Sequence, residues 1–420
     1  MTNRFCRSLL IVLFFVAVLA NIGYCNSNNN SYSVYYLNFK PESDKAWQNL
    51  AKLYTEKTGI KVKIETVANS QYQKVLAEKL AESNDITLFQ IQNARSLRQM
   101  SDHCFDLGNS DLYKELINDA YAIRDSYGKV RGIAYAVESY GLIVNRELLE
   151  KAGYDIDDIN NFQDLKRIAE DITARKKELG FSAFCSAGMD KTSDWRFKTH
   201  LANMPIYFEQ LNKSDNKMSG KYLDRFKAVW DLYLNNSTCS PAMVGYKSIE
   251  DARKEFLSSS AVFYQNGSWE FVELTKPNYG FNKYQLAMIP IYCGVEGEEN
   301  QGLCTGTENY WAVNKKASAK SIRDTLDFLY WCVTSKEGTE IMAKDMGFSI
   351  PFKNAAYSEN IFVQQNAIYT AKGIEPVAWS FTSIPSEEWK LKLAGALKAY
   401  AENQTDEAWQ GVAARFVDGW

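Results

Sequence analysis

The stretch AYAVESYGLIVNRELLEKAGYD, residues 134–155, predicts a β-strand that turns into a helix. Its first half is rich in β-branched and aromatic residues, and its second half repeats apolar residues at helical spacing until Gly153. Glu138 lies inside the apolar run. A carboxylate in a buried strand costs free energy unless it is paired or faces a cleft. Glu138 is therefore the first candidate for a functional residue.

The residues before this stretch alternate between strand and helix patterns. Strands are predicted at 33–39, 60–64 and 86–91, with amphipathic helices between them. This order indicates a parallel sheet covered by helices. Ligands bind beyond the carboxyl ends of the strands in such sheets. Lys40, Asn69, Gln92 and Asn93 lie just past three of these ends.

The second half of the chain continues the α/β pattern. Further strands are predicted at 180–184, 261–265, 284–291 and 308–313, and helices at 161–179, 222–235, around 322–333 and from 405. The GFSIPF segment at 347–352 reads as a loop or hinge because Pro351 is incompatible with a helix interior. A chain of 420 residues exceeds one ordinary hydrophobic core, so two lobes are expected.

The N-terminus predicts export from the cytoplasm. Residues 1–25 have a basic start and a short apolar run, as a signal peptide does, and a polar tether follows at 26–32. Cys25 at this junction suggests lipoprotein processing and a lipid anchor in the membrane. Tyr24 argues against it, and simple cleavage after Ala20 is the alternative. Either route gives an extracytoplasmic protein.

Charge and cysteine content exclude several classes of protein. The net charge is −3 and no basic run occurs, so nucleic acid is not an expected partner. With two histidines and no CxxC motif, neither a zinc site nor a cofactor is expected. Cys293 and Cys304 flank a Gly/Glu-rich loop and are the best candidates for a disulfide, with buried free thiols as the alternative.

Five segments together carry a resemblance to a known family: TEKTGIKVKIE, AVESYGLIVN, EFLSSSAVFYQNGSWEF, TENYWAVNKKASAKSIRDTLDFLYW and MGFSIP. In order and spacing they resemble bacterial family 1 extracellular solute-binding proteins, the maltodextrin-binding-protein class. The resemblance implies a periplasmic-binding-protein-like α/β fold, with two α/β lobes joined by hinge crossings and a ligand cleft between them. It implies a monomer that closes on a sugar and delivers it to an ABC transporter permease.

The same resemblance suggests how the chain divides into lobes. The N-terminal lobe is expected to contain residues 33–137 and about 292–347. The C-terminal lobe is expected to contain residues 138–291 and about 348–420. Residues 134–145 would then form the first hinge crossing.

Site residues follow from the resemblance where the local motif matches. Glu138 matches a glutamate that faces the sugar, and Trp269 in NGSWE matches a stacking aromatic of the second lobe. Trp389 or Trp379 would supply another aromatic surface near the C-terminus. The alternative role for Glu138 is a structural carboxylate that caps a turn, and the alternative for Trp269 is core packing.

Other candidates rest on position. Lys40, Gln92 and Asn93 follow strand ends, although QIQNARS lacks the acidic residue that is usual after the third strand. Trp195 lies in a polar loop without an obvious core face. Tyr310 precedes Trp311 in a strand, so one of the two should face the cleft.

Two other functions remain open. A secreted glycoside hydrolase would need two positioned carboxylates, but 51 acidic residues make that signal uninformative, and no GxSxG or phosphate-binding motif occurs. The same fold also binds polyamines, iron or anions. Trp and amide side chains suit a carbohydrate better, so the expected protein is a sugar-binding subunit without catalytic residues or a metal.

Overall fold

The computed structural model describes residues 32–67, 69–211, 217–278 and 280–420. The predicted signal peptide, Cys25 and all of the predicted tether except its last residue lie outside these ranges. Within them, no helix is long and apolar enough to cross a membrane.

Twelve strands of the described chain form two sheets. They are β1 (Val34–Asn38), β2 (Val62–Thr66), β3 (Leu88–Ile91), β4 (Ala122–Arg124), β5 (Val130–Ala134), β6 (Glu138–Asn145), β7 (Ser182–Phe184), β8 (Ala261–Gly267), β9 (Leu286–Ile289), β10 (Gln301–Gly306), β11 (Tyr310–Val313) and β12 (Glu375–Ala378).

Helices cover both sheets. In the described ranges they are α1 (Asp44–Thr58), α2 (Asn69–Glu82), α3 (Ala94–Met100), α4 (Asp111–Lys114), α5 (Arg146–Lys151), α6 (Phe162–Ala174), α7 (Lys176–Leu179), α8 (Asn203–Gln210), α9 (Leu223–Asn235), α10 (Ile249–Leu257), α11 (Phe271–Leu274), α12 (Ala319–Thr334), α13 (Lys336–Glu340), α14 (Ile361–Ala371), α15 (Glu387–Glu402) and α16 (Asp406–Val417).

The first sheet has the order β2-β1-β3-β11-β5-β4. β1 pairs in parallel with β2 and β3, which confirms the predicted β-α-β-α-β unit. β1 is buried on both faces: Tyr36 packs with Trp47 and Trp311 in one core, and Leu37 packs with Tyr72 and Phe89 in another. Because both faces are buried, polar and apolar residues alternate only weakly along this strand. We refer to this sheet and its helices as the first lobe.

The second sheet has the order β12-β10-β6-β8-β7, with β9 also paired to β6. β6 comes from the stretch at 134–155, and all eight of its residues are buried. Gly141 is required there because a Cβ atom would lie 2.3 Å from the carbonyl oxygen of Ile289 on β9. We refer to this sheet and its helices as the second lobe.

The chain crosses between the sheets at two adjacent segments. β5 ends at Ala134 and β6 begins at Glu138, while β10 ends at Gly306 and β11 begins at Tyr310. The amide of Tyr135 donates to the carbonyl of Asn309 at 2.9 Å, and the Thr307 hydroxyl donates to the carbonyl of Ala136 at 2.7 Å. These bonds hold the two crossings side by side.

The segment at 347–352, predicted as a loop or hinge, lies against the first crossing. The amide of Val137 donates to the carbonyl of Ser349 at 2.8 Å. The strand predicted at 284–291 does not lead directly back to the first lobe, because β10 follows it in the second sheet. The sequence of β10, QGLCTG, contains two glycines, and glycine is uncommon in strands, so no strand was predicted there. The lobe boundaries drawn from the sequence stay a prediction.

The six cysteines within the described ranges are free thiols. Cys293 and Cys304 are both buried, and the predicted disulfide between them is not formed. The thiol of Cys304 instead lies 3.6 Å from the sulfur of Met204. Burial raises the pKa of Cys304 to about 12, so this thiol stays protonated.

Candidate functional site

Glu138 and Lys40 form a buried ion pair at the crossings. The Nζ atom of Lys40 donates to Oε1 of Glu138 at 2.9 Å, and Nδ2 of Asn309 donates to Oε2 at 2.7 Å. Both side chains of the ion pair are less than 8% exposed. The sequence predicted both residues from separate signals, and the structure brings them together.

The pKa of Lys40 shows how strongly this ion pair depends on its acids. Burial alone would lower this pKa, but the negative charges of Glu138 and Glu42 raise it above its ordinary value. A buried ammonium keeps its proton only when such partners are close. The Lys40–Glu138–Asn309 group therefore links the end of β1 to the start of β6 and to the second crossing.

A cavity of about 590 Å³ opens between the lobes beside the crossings. Its first-lobe wall contains Gln92 and Asn93 after β3, the start of α3, the segment at 120–123, and Tyr310 on β11. Its second-lobe wall contains the end of β10, the crossing residue Thr307, and the segment from Ala378 to Ile384. Gln92, Asn93 and Tyr310 were predicted as site residues, and the structure places all three on this wall.

Asn93 has two structural tasks on the cavity wall. Its side-chain oxygen accepts from the amides of Arg95 and Ser96, both at 3.1 Å, and this caps α3. Its side chain is also hydrogen-bonded to Glu308, a half-buried residue of the second crossing. Burial raises the pKa of Glu308 to about 6, although Lys390 and Asn93 oppose that shift.

Trp379 forms the aromatic part of the second-lobe wall. Its ring lies against Gly306, where a Cβ atom would approach the indole to 2.6 Å. The side chain is 8% exposed, and the indole N–H has no hydrogen-bond partner among the described residues. A buried donor without a partner costs free energy, unless a bound ligand supplies an acceptor.

The other predicted aromatic residues lie in a cluster next to Trp379. Trp195 and Trp269 are half-buried, with ring centroids 5.9 Å apart. His200 connects them to Trp379, with centroid distances of 5.6 Å to Trp269 and 6.1 Å to Trp379. Tyr140 stacks on His200 at 4.2 Å. Trp269 lies against Gly267, as Trp379 lies against Gly306.

Trp389 lies in the core of the second lobe. It is 3% exposed, and its indole N–H donates to the carbonyl of Phe416 at 3.0 Å. It packs on Trp420 and fastens α16 to α15. Of the two tryptophans considered near the C-terminus, Trp379 is the one on the cavity wall. Ligand contact by Trp389 stays a prediction that this position does not favour.

Sequence reasoning missed several residues of the cavity. Arg95 and Arg98 project from α3, and Tyr121 and Ile123 come from an edge of the first sheet. The segment after β12, WSFTSI, combines an aromatic residue with hydroxyl side chains just after a strand, and this pattern was a usable signal. The role of Arg95 had no local signal, because helical arginines usually face solvent.

Two α/β lobes that meet at adjacent crossings, with a cavity between them, define a two-lobed ligand-binding protein. The family model described as "Bacterial extracellular solute-binding protein" matches residues 49–371. The chain belongs to this family, which confirms the resemblance seen in the sequence. No curated protein matches the chain in a sequence comparison.

Solved structures of sugar-binding proteins share the fold. The solute-binding protein RafE in complex with raffinose superposes with a TM-score of 0.70 at 17% identity, over 91% of this chain and 98% of that one. A chitin oligosaccharide binding protein gives a TM-score of 0.71 at 14% identity, over 92% and 98%. A sugar transporter from Bacillus licheniformis in complex with stachyose gives 0.66 at 18% identity, over 92% and 99%.

Proposed function

We propose that this protein binds an oligosaccharide in the cavity between its lobes and delivers it to an ABC transporter permease. The observation that carries the proposal is Trp379, a largely buried indole that lines the cavity and whose N–H has no partner among the described residues. Sugar rings offer both an apolar face for an indole and oxygen atoms for its N–H. The neighbours that bind raffinose, stachyose and chitin oligosaccharides support the class of ligand.

The size and chemistry of the cavity suit such a ligand. About 590 Å³ lies within the range typical of small-molecule sites. Hydroxyl and amide groups of Thr305, Thr307, Thr382 and Asn93 line the walls next to Trp379. Among the described lining residues there is no Asp or Glu, and this disfavours a polyamine or a ferric ion, which need carboxylates.

Glu138 would act next to this cavity. Lys40 and Asn309 each occupy one of its oxygens, but a carboxylate accepts about four hydrogen bonds, so it keeps capacity for a sugar hydroxyl. The substitution Glu138→Ala should weaken sugar binding by about ten-fold or more, as expected for a lost charged hydrogen bond. Trp195 and Trp269 would extend the aromatic surface for a longer chain.

The role in transport includes export and attachment. We propose that residues 1–25 direct the chain out of the cytoplasm, that Cys25 carries a lipid anchor, and that the protein acts as a monomer without catalysis. Closure of the lobes on the sugar would present the surface that the permease recognises.

Isothermal titration calorimetry with raffinose, stachyose and chitin oligosaccharides tests the proposal. One of these or a related oligosaccharide should bind with 1:1 stoichiometry. Trp379→Ala should then weaken binding at least ten-fold, while Trp379→Phe, which keeps a flat aromatic ring but loses the N–H and part of the ring surface, should weaken it less. Trp331→Phe, in a half-buried tryptophan of the first lobe away from the cavity, is the matched control. Unchanged affinity in Trp379→Ala would refute the proposed site.

A further inference from the structure

The charged side chains among the described lining residues of the cavity are all positive. Arg95 and Arg98 both line the cavity, and the described lining residues include no carboxylate. A neutral sugar presents hydroxyl groups that donate as well as accept, so it gains most from walls that contain acceptors. Besides such acceptors, this wall offers strong donors that carry positive charge.

Neither arginine forms an ion pair with an acid of the described residues. Two other arginines pair with acids: Arg131 with Asp125 at 2.7 Å and Arg253 with Glu270 at 2.7 Å. The buried Arg196 instead donates to carbonyl and hydroxyl oxygens. Arg95 is half-buried, yet its guanidinium donates across the cavity to the main-chain carbonyl of Ile384 at 2.9 Å. Arg98 is exposed, and within the described ranges it has no acidic partner within 4.0 Å.

Several neutral groups of the wall are already hydrogen-bonded within the protein. The Thr307 hydroxyl donates to the carbonyl of Ala136, and the Thr382 hydroxyl donates to the carbonyl of Trp379. The side-chain oxygen of Asn93 caps α3. The threonine hydroxyl oxygens keep lone pairs that can accept from a sugar hydroxyl, and the guanidinium N–H groups are the charged donors of the wall.

The acid nearest to this wall does not cancel the positive charge. Glu308 is hydrogen-bonded to Asn93, and the charge of Lys390 acts on it from the second lobe. Lys390 also pairs with Glu387 at 2.8 Å. Glu308, Lys390 and Glu387 together carry one net negative charge beside the cavity, whereas Arg95 and Arg98 carry two positive charges, so an excess of positive charge remains.

We propose that the ligand is an anionic oligosaccharide whose carboxylate or sulfate group binds to Arg95 and Arg98. This inference rests on the proposed carbohydrate function and specifies its substrate class. The planar fork of a guanidinium matches the two oxygens of such a group, and charge-assisted bonds of this kind are about twice as strong as neutral ones. Arg95 already spans the cavity to Ile384, so the same contact would link the ligand to both lobes.

Calorimetry with matched pairs of sugars tests this inference. Suitable pairs are trigalacturonate with its methyl ester, cellobiuronate with cellobiose, and sulfated lactose with lactose. In at least one pair the charged member should bind at least ten-fold more tightly than the neutral one at low salt. This preference should shrink as the salt concentration rises, because exposed charges are screened. Preference for a uronate or for a sulfated sugar identifies which anion is bound.

Two substitutions connect the preference to the wall. Arg98→Gln, at an exposed position, should weaken binding of the charged sugar at least ten-fold more than it weakens binding of the neutral counterpart. Arg323→Gln removes the same charge from an exposed position on α12, away from the cavity, and should leave both affinities unchanged.

The possible failures are distinguishable. If the neutral member of every pair binds as tightly as the charged one, the anionic ligand is refuted and carbohydrate binding stands. If Arg98→Gln and Arg323→Gln weaken binding equally, the contact is refuted and a general charge effect explains the preference. If no sugar of either kind binds, the proposed function itself is refuted.

Discussion

Lys40 and Glu138 form a buried ion pair, so substitutions of the two residues should have non-additive effects on the free energy of unfolding. Glu138→Gln keeps the shape of the side chain but leaves the ammonium of Lys40 with only Glu42, at 3.2 Å, as an acidic partner. Breaking a buried ion pair on one side costs about 3–5 kcal/mol, whereas replacing both charges is often close to neutral. Because Glu42 compensates in part, we expect about 3 kcal/mol for Glu138→Gln.

A double-mutant cycle measures this coupling. Glu138→Gln, Lys40→Met and the double variant are compared by urea unfolding, followed by far-UV circular dichroism. The double variant should be at least about 2 kcal/mol more stable than the sum of the two single effects predicts. Lys52 and Glu56 form an exposed pair 3.9 Å apart, and a cycle on them should give about 0.5 kcal/mol or less. Additive effects at Lys40 and Glu138 would refute the structural role of the pair.

Three further variants test single features of the site. Gly306→Ala should displace the ring of Trp379 and weaken sugar binding at least ten-fold by calorimetry. Gly395→Ala, where a Cβ atom has open space, should leave sugar binding unchanged. Equal effects of the two substitutions would contradict the packing of Trp379 on Gly306. Burial raises the pKa of Glu308 from 4.5 to about 6, so the folded state binds the carboxyl proton more tightly than the unfolded state does. The wild-type protein should therefore lose about 2 kcal/mol of stability as the pH rises from the unfolded pKa through the folded one. Glu308→Gln should abolish this loss in urea unfolding from pH 4 to 8; an identical pH profile would contradict it. Burial, with the charges of Lys390 and Arg196, lowers the pKa of His200 from 6.5 to about 3, so wild type should lose up to about 5 kcal/mol as pH falls below 6.5, and His200→Phe should lack that acid-dependent loss.

Much of the fold could be predicted from the sequence because local patterns and burial agree. The helix with Trp47 in its first turn runs from Asp44 to Thr58 and is capped by Gly59, which has a φ of 75°. β6 and α5 form where residues 134–155 predicted a strand and a helix, with Glu138 at the start of the strand. These elements have strong periodicity and clear end signals.

The site was harder to predict because it is made of long-range contacts. Lys40 and Glu138 are 98 positions apart, and their pairing depends on how two sheets meet. Trp379 and Trp389 both looked suitable, and only packing distinguishes the one on the cavity wall from the one bonded to Phe416. Cys293 and Cys304 were candidates for a disulfide because they flank one short loop in the sequence. In the structure each is a separate, buried free thiol.

A crystal structure of the protein with a bound oligosaccharide tests the central claim most directly. We predict a sugar ring stacked on Trp379 between the lobes, with one of its oxygens accepting from the indole N–H and an anionic group within hydrogen-bond distance of Arg95 or Arg98. A sugar bound away from Trp379 would contradict the account.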